Sequence, residues 1–452
     1  MRRMLPARVG RARPRAKAAR QPGVSLFAAV VSRRARALDA LVPLAAVQAA
    51  GIVCGIVGVR WSSSVIPPDV LGCYGLLLST TQFALGVTHQ GFVRHVQRFW
   101  TPRLPLRSYA AQLSGGIALP TAWMAAALAA ALIGLHAIAG VPAGFGTFAW
   151  AIAVNVLIVV AVCAQTALQA ENRYWAAFAI SAVGSATRSF LPPLLAMTLG
   201  ATLFWLETGF FVHVSAQILV AALFLSAAWR REGTLPDGAG ESLARTVSAL
   251  AGAGLCGWLA AAAPRWIAAA VLTPEETGYF VLAGNLTLVV PASFGAIALN
   301  RSFPGLFGAA RDGADGRALL RMTDRSVAAV LAGSQLSLLA LAWLSPVLVG
   351  TVVSPRYANS MDWLLATGGA ALATTTTQFY HNVLLARHRE GECLKLSIAS
   401  AAFRLAAMAG AAAVGMGAFR LTLIALPWLT VALERAYVQR LLATEKHAAT
   451  PA

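Results

Sequence analysis

Residues Thr166–Arg188 read TALQAENRYWAAFAISAVGSATR, and residues Asn382–Arg404 read NVLLARHREGECLKLSIASAAFR. The two align without a gap at an offset of 216 residues, pairing Leu168 with Leu384, Ala170 with Ala386, Arg173 with Arg389, Ser181 with Ser397, Ala186 with Ala402 and Arg188 with Arg404. In each, a basic turn opens an apolar run that carries a second arginine fifteen residues on. At 1.5 Å per residue a helix puts that arginine about 22 Å along its axis, past the middle of a bilayer core about 30 Å thick. Repetition of such a stretch marks a duplicated membrane protein, and the paired arginines are its first candidate functional groups.

Composition agrees. The 452 residues are 58% hydrophobic and 12% charged, with mean hydropathy +0.67, and apolar runs of about 20 residues recur from end to end. This pattern predicts an all-α polytopic membrane protein and excludes a soluble enzyme. The five cysteines, Cys54, Cys73, Cys163, Cys256 and Cys393, are scattered singly. With no CxxC pair, no HExxH and no clustered ligands, no metal site, disulfide framework or cofactor is expected. The net charge of +19 would suggest nucleic acid in a soluble chain; its distribution here points to membrane lipid instead.

The first 36 residues hold eleven Arg and Lys and no acid. The short apolar patch 24–31 is followed by Arg33, Arg34 and Arg36 rather than a cleavage site, so residues 1–37 read as a basic cytoplasmic tail resting on anionic lipid. Spans are predicted at Leu41–Val59, Val70–His89, Leu113–Ile138, Thr147–Ala170, Trp175–Leu199 and Gly209–Trp229, which make an N-terminal lobe over 38–229. A polar linker, 230–242, leads to a C-terminal lobe over 243–439. Its spans are Val247–Pro264, Gly278–Ile297, Val327–Leu348, Trp363–Leu385, Leu396–Met416 and Leu421–Glu434; a tail over 440–452 closes the chain. With the N-terminus inside, 30 of the 36 Arg and Lys fall on the cytoplasmic side, four in outer loops and two within spans. Six spans per half make the repeat parallel, with substrate expected between the halves.

A second repeat opens each half. Arg60-Trp61 before Pro68, Gly72 and Tyr74 answers Arg265-Trp266 before Pro274, Gly278 and Phe280. Proline and acids ahead of the glycine suit the first turn of a new helix. Both Arg-Trp pairs read as interfacial anchors, with an outward vestibule as the sharper alternative.

Arg188 and Arg404 are costly. A charge at mid-membrane costs roughly 2.5–3.5 kcal/mol even on mild scales, so it normally faces a wet cavity or a partner. The acids near the membrane, Glu207 and Glu434 among them, all read as lying at span ends, so no carboxylate is expected to neutralise either arginine. An arginine capping carbonyls freed by Pro192 and Pro193 would account for Arg188 but not for Arg404, whose own span has no later proline. Paired cationic sites for an anionic ligand follow. Asn155, Ser185, Asn285 and Gln378 are candidates to wet the same cavity, against the plainer reading of interhelical hydrogen bonding.

PPDVLGCYGLLLSTTQFALG at the start of the second span, GFVRHVQRFW at its exit, PEETGYFVLAGNL in the second half and VVSPRYANSMDWLL after the ninth span make the chain resemble a known family. It is similar to the lipid-linked oligosaccharide flippases, or polysaccharide biosynthesis proteins, of the multidrug/oligosaccharidyl-lipid/polysaccharide (MOP) exporter superfamily. The resemblance implies a V-shaped, MATE-like bundle in the bacterial inner membrane, its lobes rocking about a cationic cavity. Its cargo would be an undecaprenyl-diphosphate-linked oligosaccharide, and the protein a monomer working beside a polysaccharide polymerase and chain-length machinery. By position, Arg60 and Arg265 resemble cavity arginines of the related lipid II flippases, although twelve spans rather than fourteen argue against a peptidoglycan role. Guanidinium forks suit a diphosphate. Two other classes compete: a cation-coupled drug antiporter of the same fold, which needs a buried acid, and a polytopic glycosyltransferase or polymerase, which needs catalytic groups on a large outer loop.

Overall fold

The computed structural model describes residues 26–84, 125–134, 144–171, 173–230, 239–387 and 389–448, with a few short stretches between 86 and 141. The third span before residue 125, the GFVRHVQRFW stretch, most of the linker and the extreme termini lie outside the described residues. Met1–Val42 forms one unit, of which 26–42 are described as helix; Pro43–Ala452 forms the other.

The described chain is helical throughout: α1 (Leu26–Val65), α2 (Pro68–Ala84), α3 (Ala125–Gly134), α4 (Phe145–Ala170), α5 (Tyr174–Leu199), α6 (Leu203–Trp229), α7 (Ala239–Val271), α8 (Pro274–Arg311), α9 (Gly316–Trp343), α10 (Leu364–Ala386), α11 (Glu390–Val414) and α12 (Met416–Ala448). Each predicted span overlaps one of them within the described residues, the third only through Ala125–Gly134. An irregular turn, Ser345–Thr351, and a 3-10 segment, Pro355–Trp363, join α9 to α10. Eight of these helices are long and apolar enough to cross a bilayer. Large apolar side chains such as Leu219, Leu223, Leu336 and Trp343 point away from the protein, as lipid-facing groups do.

The repeat is written into the backbone. Arg173 and Arg389 are both N-caps, with ψ of 58° in each, and the N–H of each donates at 2.9 Å to the matching carbonyl, Leu168 or Leu384. α5 and α11 then end on Gly200 and Gly415, whose φ values of 102° and 142° suit glycine and end the helix. The proline-led starts of α2 and α8 also appear as expected. Thr273 and Glu276 form a capping box around Pro274, the hydroxyl accepting from Glu276 N at 3.2 Å and the carboxylate from Thr273 N at 3.0 Å.

Those two helix starts cross. A Cβ on Gly72 would stand 2.7 Å from the Pro274 carbonyl, and one on Gly278 would overlap the Pro68 carbonyl. Each contact is the counterpart of the other, the pattern a two-fold relation between halves produces. Small residues let backbones approach closely, which is how helices hold together in lipid.

Nearby, the 3-10 segment clasps the end of α1. The last carbonyls of a helix have no intrahelical donor. Arg356 supplies Nε to Ser63 O at 2.8 Å and Nη2 to Ile66 O at 2.7 Å, while the Tyr357 hydroxyl donates to Ile66 O at 2.9 Å and Ser354 N to Ser63 Oγ at 3.0 Å. Burial pushes the Tyr357 phenol above its ordinary range, so it stays a donor. The end of the bundle that carries Gly72, Gly278 and this clasp is thus closed by contacts between the halves.

Candidate functional site

A cavity of about 320 Å³ lies below that closed end. It is lined from α1 by Gly58 and Ser62, from α2 by Tyr74, from α5 by Ser185 and Arg188, from α6 by Phe210 and from α8 by Asn285. Arg188 is exposed, its Cζ 5.9 Å from the Phe210 ring centre, and no hydrogen bond or ion pair engages its guanidinium among the described residues. Ser185 and Asn285, both read from the sequence as cavity polar groups, line the same space. Because Asn285 belongs to the second half, the cavity lies between the halves.

A second cavity of about 140 Å³ adjoins it, the two sharing Leu288 as a wall. Arg265, Thr367, Thr374 and Thr375 face into it. Arg265 is half-buried and likewise has no hydrogen-bond or ion-pair partner among the described residues. Arg188 and Arg265 lie within each other's electrostatic reach. The cations that come together are therefore one from each half, but they are not the pair the repeat matches.

Arg404 corrects the expectation of matched cavity arginines. It is 1% exposed, its Nη2 donating to Thr374 Oγ1 at 2.7 Å and to Ala260 O at 3.2 Å. Ala260 stands four residues before Pro264, which has no N–H to offer it. The proline sought in Arg404's own helix lies in its neighbour. Glu434, fully buried on α12, accepts from Ser400 at 2.7 Å and lies within electrostatic reach of Arg404 without forming an ion pair with it among the described residues.

The other candidates scatter. Arg60 is exposed on the same stripe of α1 as Val53 and Val57, away from both cavities. Asn155 is buried and donates to Ala151 O at 2.9 Å, and Gln378 is exposed and lines neither cavity. Of the tryptophans read as anchors, Trp61 packs on Phe190, but Trp266 bonds across the halves, its indole donating to Ser79 Oγ at 2.7 Å. Trp258 donates to Ser79 O at 2.9 Å beside it.

The acids require the other correction. α6 starts at Leu203 rather than Gly209, and α12 runs on past Glu434 to Ala448. Glu207 and Glu434 are therefore inside helices that can span the membrane, both fully buried, and neither carboxylate oxygen of Glu207 has a partner among the described residues. Charged residues lower the local hydropathy, so a hydropathy reading stops short of them; the amphipathic continuation after Glu434 was the available signal. No group of three or more His, Cys, Asp or Glu that could hold a metal occurs among the described residues.

No family model matches the sequence, and no curated protein does. Solved structures match nearly end to end. A multidrug-resistance MATE family transporter of the MOP superfamily, in its inward-facing conformation, aligns with TM-score 0.63 at 13% identity, over 88% of this chain and 96% of its own. A mutant of the Vibrio cholerae MATE transporter VcmN gives TM-score 0.59 at 13% identity, over 92% and 98%. The chain has the fold of the MOP exporters. Lipid II flippase MurJ, in an inward closed conformation, also shares it, with TM-score 0.59 at 10% identity over 88% of this chain and 87% of that one.

Proposed function

We propose that this protein is a flippase that carries an undecaprenyl-diphosphate-linked oligosaccharide from the inner to the outer leaflet of a bacterial inner membrane by rocking its two halves. The observation that carries the reading is the pair Arg188 and Arg265, two guanidiniums without counter-charges in adjoining cavities between the halves. A diphosphate brings about two negative charges and accepts bidentate hydrogen bonds, so it offsets both cations in a place where an unpaired charge is costly. Ser185, Asn285 and the threonines of α10 suit hydroxyl-rich cargo. The distribution of basic residues supports a cytoplasmic linker and cytoplasmic termini, with the clasp on the outer side.

Glu207 favours a second reading, the cation-coupled antiporter, since it is the buried unpaired acid such a mechanism needs. Two cavity arginines argue against cationic cargo. Complementation of a flippase-null strain separates them: Arg188→Ala and Arg265→Ala should each stop surface polysaccharide export with membrane protein level retained. Normal export from the double variant removes the diphosphate reading.

A further inference from the structure

α7 lacks one backbone hydrogen bond. Pro264 cannot donate to the Ala260 carbonyl one turn back, and within a membrane that carbonyl has no water to turn to. The donor comes from α11, where Arg404 Nη2 reaches Ala260 O at 3.2 Å. The same nitrogen also donates to Thr374 Oγ1 at 2.7 Å, and Thr374 passes the chain on to Ala370 O at 3.2 Å. One guanidinium thus ties α7 and α10 to α11. The residue after Pro264 is Arg265, which lines the second cavity with Ala261 and Thr374.

We infer that Arg404 is a positioning residue: it replaces the hydrogen bond that Pro264 removes and so holds the segment of α7 that presents Arg265 to the cavity between the halves. The function of Arg265 rests on the flippase reading; the hydrogen-bond replacement does not. Three features fit this role better than cargo binding. The side chain is sealed from the cavity, its Nη2 is already engaged by Thr374 and Ala260, and the latter acceptor is the single carbonyl of α7 that Pro264 deprives. An unmet carbonyl would let α7 bend or rotate at that rung, moving the Arg265 side chain with it.

The test uses the full-length protein without its native cysteines, with Ala261→Cys as reporter on the wall of the second cavity. Labelling by a small charged methanethiosulfonate is timed with no cargo present, so the result is readable even if the flippase reading fails. Arg404→Met is combined with Glu434→Gln, so that no lone carboxylate is left buried. We expect this variant to change the labelling rate about tenfold, the scale of one hydrogen bond from a charged donor. Adding Pro264→Ala, which returns an amide N–H to Ala260 O, should bring the rate back to within about twofold, and Arg404→Lys should fall between. If Arg404→Met with Glu434→Gln does not accumulate, recovery of membrane protein level on adding Pro264→Ala supports the inference in the same way. An unchanged labelling rate, or no rescue of rate or level by Pro264→Ala, overturns it.

Discussion

Removing the Arg356 clasp should let the clasped end of the bundle open. Arg356→Ala deletes two hydrogen bonds from a charged donor, to Ser63 O and Ile66 O, and leaves Tyr357 and Ser354 in place. Buried bonds of this kind contribute about 1.5–3 kcal/mol each, but Arg356 is exposed, so about 1 kcal/mol each is the appropriate scale. A loss of about 2 kcal/mol moves a two-state equilibrium about 30-fold toward the open form. Ser62→Cys places a thiol in the cavity just below the clasp. Its labelling by an impermeant reagent added outside intact cells should rise by roughly that factor in Arg356→Ala and by less in Arg356→Lys. Equal rates in the wild type and Arg356→Ala would refute the argument that these bonds hold the end closed.

Other expectations concern the acids, the crossing and the topology. Glu207→Gln should keep both protein level and export, because the amide fills the same space without a charge to bury; loss of export at normal level would favour acid-linked coupling. Glu434→Gln, by contrast, should lower thermal stability modestly, because it weakens the buried acceptor of Ser400 and removes the electrostatic pairing of Glu434 with Arg404. A melting curve indistinguishable from wild type would contradict that pairing. Gly278→Val should reduce membrane protein level sharply, since even a Cβ overlaps Pro68, and a normal level would mean that α2 and α8 are not in this contact. Cysteines at Asp237 and Thr450 should resist labelling from outside intact cells, and strong labelling at either would end the assignment of linker and C-terminus to the cytoplasm.

The positions of the helices were legible in the sequence because a bilayer demands long apolar runs, and the repeat was legible because its cap residues recur at fixed spacing. What hydropathy does not show is where a span continues through a charge, and so Glu207 and Glu434 read as lying at span ends. The candidate site was half legible. Spacing places Arg188 and Arg404 at the same height on matching helices, but not at the same rotation against their neighbours, and rotation separates a cavity cation from a core one. The partner of Arg404 is a carbonyl on another helix, made available by a proline 140 residues away in the chain, a relation that no local pattern carries. Arg265 was chosen by its resemblance to cavity arginines and does line a cavity, whereas Arg60, chosen on the same ground, faces outward with Val53 and Val57.

Two cavity guanidiniums without counter-charges also have an electrical consequence. In the proposed flippase, an empty carrier holding Arg188 and Arg265 would carry about two positive charges through part of the membrane field when it reorients, at up to about 2.3 kcal/mol per charge per 100 mV. In an inside-negative cell that field would pull the empty cavity back toward the cytoplasm, while a carrier filled by the proposed diphosphate would be close to neutral and cross almost untouched by voltage. Direction would then come from the return stroke rather than the loaded one. A voltage step applied to empty protein should give a transient charge movement that diphosphate lipid abolishes.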